Sequence, residues 1–281
     1  MSIRYAELQV TSHFSFLRGA SSCEELFAQA RLCGIEALGI VDRNSLAGIV
    51  RAHEAARATG VRLIVGCRLD LADGMAILVY PTDRPAYSRL CRLLSLGKKR
   101  GGKGKCILYW DDVVAYGEGL LAILVPDEPD EETALRLRLL CDAFPDRAYM
   151  ALTLRRRPND QLRLYELSQM AESFGVSTVV TNDVLFHEPG RRMLQDVVTC
   201  IRHNVTIDQL GDRRERHADR YLKSAEEMHR LFARHPEALA RTLEIADRCR
   251  FSLDELKYQY PEERDDPALT PQQTLEKLVW E

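Results

Sequence analysis

No apolar run in this 281-residue chain approaches the length that crosses a bilayer. The opening stretch MSIRYAELQVTSHFSF lacks the basic, apolar, small-residue order of a secretion signal, so a cytoplasmic location without a membrane partner is expected. Positive charge is not in excess: 39 Lys and Arg stand against 42 Asp and Glu, a net charge of −3. That balance excludes a histone-like basic coat and confines any nucleic-acid contact to a local patch. The eight cysteines, at positions 23, 33, 67, 91, 106, 141, 200 and 249, contain no C-x-x-C pair and no regular ladder. They read as buried reduced thiols rather than a disulfide framework. Internal repeats and low-complexity tracts are also missing. What is present, 46% hydrophobic and 29% charged residues, is ordinary for a globular protein, with length for one large α/β domain or two.

Short β-branched or aliphatic runs alternate with longer helical patterns. Strands are expected at 6–10, 37–41, 62–71, 75–80, 120–126, 148–154 and 178–182. Helices are expected at 23–33 behind a Ser22 cap, 45–59 closing on Gly60, 84–96 closing on Gly97, 131–144, and 161–174 closing on Gly175. Strand followed by helix, repeated, implies parallel strands with helical crossovers. The runs 62–71 and 75–80 flank Ala72-Asp73-Gly74 and read as a hairpin, so a barrel built from these strands would be irregular. From about Pro189 helices take over, at 189–202, 225–233 and 236–249. A Pro- and charge-rich stretch from Phe251 reads as an extended linker, and a last helix begins at Pro271 behind Thr270. The chain stops inside that helix, which is the expectation for a fragment of something longer.

In a parallel α/β barrel, functional groups follow the C-terminal ends of the strands. Those positions carry a resemblance. SFLRGASSCEEL, ALGIVDRNSLAGIVRAHEAAR, GVRLIVGCRLDL and LVYPTDRPAYSRLCRLLS, followed by VVTNDVLFHEPGRRMLQDVVTCIRHNVTI, YLKSAEEM and KYQYPEE, resemble the N-terminal PHP domain of C-family bacterial DNA polymerases. The wording is nearer to the error-prone branch than to the replicative alpha subunit, and the likeness runs along essentially the whole chain. It implies an irregular parallel (β/α) barrel of the PHP type, with about seven strands, over residues 1–202. A helical extension over 203–258 would complete the region. Residues 259–281 would form a linker and the start of a polymerase module.

Active PHP domains carry His-x-His after the first strand, Asp-His after the second, Glu after the third and Asp-x-His near the end. Such imidazoles and carboxylates hold divalent ions that activate water against a phosphoester. Carried over, the His-x-His positions are Gln9 and Thr11, and the Asp-His pair is Asp42 and Arg43. The Glu falls at Arg68, and the Asp-x-His falls at Asp183 and Leu185. Only Asp42 and Asp183 remain of the ligand set. Two unit positive charges about 4 Å apart repel by roughly 4 kcal/mol at an effective dielectric near 20, so Arg43 and Arg68 oppose bound cations. Arg43 or Arg68 is expected instead to pair with Asp42 or Asp183, and no metal is expected at this site.

Other residues fit the same frame less well. His13 and His187 lie near this end of the barrel but off the ligand positions, and they read as surface or capping histidines. The run Gly97 to Lys105 holds Lys98, Lys99, Arg100, Lys103 and Lys105. It lacks the Lys-Ser/Thr ending of a P-loop, which leaves a solvated loop or a nonspecific DNA-backbone contact. Arg155-Arg156-Arg157 would meet Asp42 or a neighbouring domain. Arg213-Arg214-Glu215-Arg216 reads as solvent-exposed structure. The acidic pairs at 111–112, 127–128 and 130–132 read as helix-start charges.

The resemblance thus implies the PHP domain of a DNA polymerase that adds nucleotides across damaged templates in mutagenesis and translesion synthesis. The domain itself would be catalytically inactive, with no cofactor of its own, and magnesium would serve the polymerase module. The implied partners are that module, DNA through it, other mutagenesis proteins and a sliding clamp. The alternative is a metal-dependent phosphoesterase or 3′-5′ exonuclease of the PHP superfamily. A free-standing nucleic-acid-binding protein built on the 98–105 run has little else in its favour.

Overall fold

The computed structural model describes residues 3–215, 217–257 and 268–280. Residues up to Phe251 form one compact unit and those from Ser252 a second. Among the described residues of the first, eight strands form two sheets. β1 (Ala6–Val10), β2 (Ala37–Ile40) and β3 (Arg62–Val65) pair in parallel in that order. β4 (Cys67–Asp70), β5 (Ala76–Pro81), β6 (Leu120–Leu124), β7 (Ala148–Leu152) and β8 (Ser177–Val180) make the other sheet. The β4–β5 and β5–β6 pairs are antiparallel, and β6–β7 and β7–β8 are parallel. The expected hairpin is β4–β5.

The expected run 62–71 is two strands, which raises the count from about seven to eight. The break falls at Gly66, where an added Cβ would lie 2.7 Å from the Tyr80 ring and 2.8 Å from Val41. Tyr80 fills that space and donates its hydroxyl to the Leu8 carbonyl at 2.5 Å. The two sheets then meet through single parallel bridges. Val10 pairs with Val184 at one seam, and Arg43 pairs with Arg68 at the other. Alternate residues of β1 (Ala6, Leu8), β5 (Leu78, Tyr80), β6 (Leu121, Ile123) and β7 (Tyr149, Ala151) share one buried apolar cluster, the period-2 signature of a sheet face.

Helices cover the strands. α1 (Cys23–Leu32) starts at the expected Ser22, whose hydroxyl and Glu25 form a capping box. α2 (Ile49–Thr59) ends on Gly60 in the left-handed conformation, and it starts four residues later than expected because Ser45 turns back to accept from the Ala47 amide. α3 (Arg84–Gly101) runs past Gly97, which is a packing glycine and not a cap. A Cβ there would meet Cys106 Sγ at 2.6 Å and Leu108 at 2.7 Å. The cap is Gly102, so Lys98, Lys99 and Arg100 belong to the last helical turn and not to a loop. α4 (Trp110–Tyr116), α5 (Glu131–Ala143) and α6 (Asp160–Ser173) follow. α7 (Arg192–His203) and α8 (Ala225–Leu231) come next, and α9 (Pro236–Arg248) packs on β8 and β1. All eight cysteines are free thiols; Cys23, Cys67, Cys200 and Cys249 are buried and the other four only partly so.

In the second unit, Ser252 caps a 3-10 turn at Leu253–Glu255. Helix α10 (Pro271–Trp280) opens behind Thr270, whose hydroxyl accepts from the Gln273 amide. Most of the expected linker, 258–267, lies outside the described residues. No described helix is long and apolar enough to cross a membrane.

Candidate functional site

Four strand ends converge at one end of the barrel. β1 supplies Gln9 and leads into Thr11, β2 leads into Asp42 and Arg43, β4 holds Arg68 and Asp70, and Asp183 follows β8. The seams hold these groups together. Thr11 N–H donates to the Val184 carbonyl and Val184 N–H to that of Gln9, at 2.9 and 2.8 Å. Across the other seam, Asn44 N–H donates to Arg68 and Arg68 N–H to Asp42, at 2.8 and 3.1 Å.

Asp183 is 7% exposed and sits in the left-handed backbone region at φ 49. One carboxylate oxygen accepts from Gln9 Nε2 at 2.8 Å, and the other meets the Arg220 guanidinium at 2.5 Å. Arg220 also donates to the Asp183 carbonyl at 2.9 Å and to Glu215 at 2.7 Å. Burial by itself would push the Asp183 carboxyl up. The charges of Arg220, then Arg68 and Arg155, outweigh it and hold the group well below the usual carboxylate range. Gln9 Oε1 is buried without a partner.

Asp42, 1% exposed, is engaged differently. It accepts from the Ser12 amide at 2.9 Å, the Ser12 hydroxyl at 2.8 Å and the Ser15 hydroxyl at 2.6 Å. Burial raises its pKa, and the Ser15 and Ser12 donors oppose that rise. The carboxylate therefore ties down the loop between β1 and α1.

The expected pairing of Arg43 or Arg68 with Asp42 or Asp183 is corrected by Asp70. Arg68 Nε meets Asp70 at 2.8 Å, and Arg43 pairs with the other oxygen of the same carboxylate. Burial and the adjacent Arg68 charge draw the Arg43 guanidinium down to about 10, with Asp70 acting against them. Asp70 lies two residues after Arg68 on one strand, hence on the same face, a signal legible in the sequence. Arg220 lies 37 residues after Asp183 in an irregular segment and has no such signal. Thr11 is buried, and Leu185 joins an apolar cluster with Ala20 and Phe186.

Glu7 carries no motif or spacing that marks it in the sequence. It is 1% exposed and accepts from the Tyr5 hydroxyl at 2.7 Å, the Gln9 amide at 2.8 Å and the Asn182 amide at 3.2 Å. Burial pushes its carboxyl up to about 7 against those donors and the Lys223 charge.

The remaining candidates lie apart from this cluster. His13 Nδ1 is 3.2 Å from the Ser21 carbonyl and His187 Nδ1 is 2.8 Å from the Ser21 hydroxyl. Among the described residues, no group of three or more His, Cys, Asp or Glu could hold a metal ion. Arg155, Arg156 and Arg157 do not meet Asp42. Arg155 and Arg157 pair with Asp127, Arg157 also pairs with Glu128, and Arg156 pairs with Asp219 at 2.8 Å. Asp127 and Glu128 are thus partners of arginines rather than helix-start charges. Asp130 caps α5, and Asp112 closes the capping box of α4. Arg213 and Arg214 are exposed as expected, and Arg214 also pairs with the buried Asp196 at 2.9 Å; Arg216 lies outside the described residues. Of the basic run, Arg100 is taken by Asp112 at 2.6 Å, whereas Lys98, Lys99, Lys103 and Lys105 are exposed.

Comparison with known proteins places this geometry. A family model described as the PHP domain matches residues 7–154. Error-prone DNA polymerase 1 of Agrobacterium fabrum is 74% identical over 99% of this chain, and an error-prone DNA polymerase of Caulobacter vibrioides is 46% identical over 98%. In each case the match covers 26% of the relative, so the chain spans about a quarter of the length of these curated relatives. Two solved structures share the fold. One is a Bifidobacterium adolescentis protein proposed to be a metal-dependent phosphoesterase (TM-score 0.51, 14% identity, 65% of this chain and 88% of that one). The other is an amidohydrolase from Chromobacterium violaceum (TM-score 0.50, 15% identity, 64% and 87%). The family match over more than half of the chain and the mixed α/β barrel agree: this chain belongs to the PHP domain family.

Proposed function

We propose that this chain is the PHP barrel of an error-prone DNA polymerase acting in translesion synthesis, and that its mouth is held by ion pairs in place of a metal cluster. The names of the relatives supply the polymerase. Templated nucleotide addition, its magnesium and any clamp contact then belong to the length of the relatives that this chain does not span. The barrel's own part is structural, as a folded platform for that module.

The observation that carries the reading is the engagement of both acidic side chains left at the ligand positions. Asp42 accepts three hydrogen bonds from Ser12 and Ser15, and Asp183 is held by Gln9 and Arg220. A divalent ion at either would have to displace buried donors, beside the fixed charges of Arg43 and Arg68. Neutral Gln9 and Thr11 are weak replacements for imidazole. The donor set does not fit a cluster of divalent ions, and no hydrolytic step is derived through one.

Elemental analysis of the chain purified from medium supplied with zinc, manganese and iron tests the reading. Substoichiometric metal, and background hydrolysis of DNA 3′ ends with manganese added, are the expected results. Two or more ions per chain, or manganese-dependent hydrolysis that Asp42→Ala abolishes, would restore the phosphoesterase or exonuclease reading.

A further inference from the structure

Beside the mouth lies a groove of about 440 Å³ that shares only Arg43 with the ion pairs of the mouth. Its walls hold Arg18, Arg43, Lys98 and Lys105, and no carboxylate lines it. Asp70 answers the charge of Arg43. No described carboxylate lies within ion-pair distance of Arg18, Lys98 or Lys105, on a chain whose net charge is −3. Three of the four cations in the groove therefore have no counter-charge among the described residues.

One wall is the loop between β1 and α1, fixed from below by the Ser12 and Ser15 bonds to Asp42. The Arg43 amide donates to Ser15 Oγ at 2.9 Å, and Arg202 donates to the Leu17 carbonyl at 3.0 Å. Leu17 sits in the left-handed region at φ 57. Between these anchors Phe16 is 83% exposed, a bare ring at the rim of a cationic groove. The opposite wall is the end of α3 and the turn after it. The α3 carbonyls of Gly97 and Lys98 are capped by the amides of Ile107 and Gly102, so they add no free acceptors. Gly102 and Gly104 leave open space where side chains would stand.

Cations in a groove with a stackable aromatic ring are the elements of single-strand nucleic-acid binding, in which phosphates meet the charges and an unpaired base meets the ring. Duplex DNA presents no free base face to such a ring. An acidic peptide would use the charges and leave the ring idle. We propose that this groove binds single-stranded DNA, with phosphates against Arg18, Lys98 and Lys105 and a base stacked on Phe16. The assignment goes beyond the inert-barrel reading and does not depend on it. It also redraws the basic run: Lys98 and Lys105 face the groove, whereas Lys99 and Lys103 do not line it and Arg100 is committed to Asp112.

The test is fluorescence anisotropy of the 281-residue chain with a labelled oligo(dT) of about 16 nucleotides, in EDTA, from about 50 to about 200 mM salt. EDTA separates the outcome from any question of metal. Arg18→Ala/Lys98→Ala/Lys105→Ala is expected to weaken binding at least about tenfold and to flatten the log–log salt slope by about 2, at about 0.7 per phosphate contact. Phe16→Ala should weaken it about fivefold or more with the slope unchanged, whereas Phe16→Trp should keep affinity and show quenched fluorescence on binding. Lys99→Ala/Lys103→Ala should stay within about twofold, because those charges lie off the groove. The assignment is overturned by any of four results: wild-type binding by the triple variant, an equal loss from Lys99→Ala/Lys103→Ala, indifference to Phe16→Ala, or equal displacement by duplex DNA or polyglutamate.

Discussion

Replacing Arg220 with methionine keeps an unbranched stem in the wall of the mouth and removes only the guanidinium. Asp183 then loses its 2.5 Å ion pair and the 2.9 Å bond to its carbonyl, and retains Gln9 Nε2 as its close side-chain donor among the described residues. Breaking one side of a buried pair costs about 3–5 kcal/mol, because the other charge stays buried. Arg68 and Arg155 still act on Asp183 from farther away, so the lower end, about 3 kcal/mol, is expected. That is a large share of a net stability of about 5–15 kcal/mol.

In the unaltered chain the Asp183 pKa is depressed, so its contribution is present above the unfolded value and lost as pH falls through the folded one. In Arg220→Met, burial dominates and raises the carboxyl, so acidification neutralises a charge that has lost its partner. Urea unfolding followed by circular dichroism at pH 7 and about pH 4.5 should show the gap between the two proteins narrowing on the acid side. Asp183→Asn/Arg220→Met should recover more than half of the loss. A deficit under about 1 kcal/mol at pH 7, or one that widens on acidification, would refute the reasoning.

Asp42→Ala should cost about 2–4 kcal/mol by leaving the Ser12 amide and the Ser12 and Ser15 hydroxyls short of an acceptor. It should also speed trypsin cleavage at Arg18, and unchanged cleavage would mean that the loop is held by other contacts. Glu7→Gln should flatten the stability profile. The Glu7 carboxyl, raised to about 7 by burial, contributes stability that is present below its unfolded value and lost as pH rises through about 7. The span is worth about 3 kcal/mol at most, and urea midpoints at about pH 5 and pH 8 that differ equally in both proteins would count against it.

Strand and helix positions were largely legible because β-branched runs and capping residues mark them locally. Ser22, Gly60 and Thr270 all act where the sequence places them. Tertiary packing decides the exceptions. Gly66 and Gly97 carry no local sign that one lies against Tyr80 and the other against Leu108, so one strand ran too long and one helix stopped too early. At the mouth, the order of motifs located Gln9, Asp42, Arg43, Arg68 and Asp183, and the structure brings them together. Their partners were less accessible. Asp70 follows from period-2 alternation along β4, but Arg220 reaches Asp183 through an irregular segment that no periodicity describes.

The two single-bridge seams make the barrel wall unequal around its circumference. Elsewhere the staves share ladders of three or more paired residues, with one irregularity between Glu7 and Val10 of β1, whereas at Val10–Val184 and Arg43–Arg68 each joint is one rung wide. A charged rivet sits at each joint: Gln9, Asp183 and Arg220 at the first, Arg43, Arg68 and Asp70 at the second. Any breathing of this cylinder should begin there, and amide exchange at Thr11, Asn44, Arg68 and Val184 should outpace that along β6 and β7.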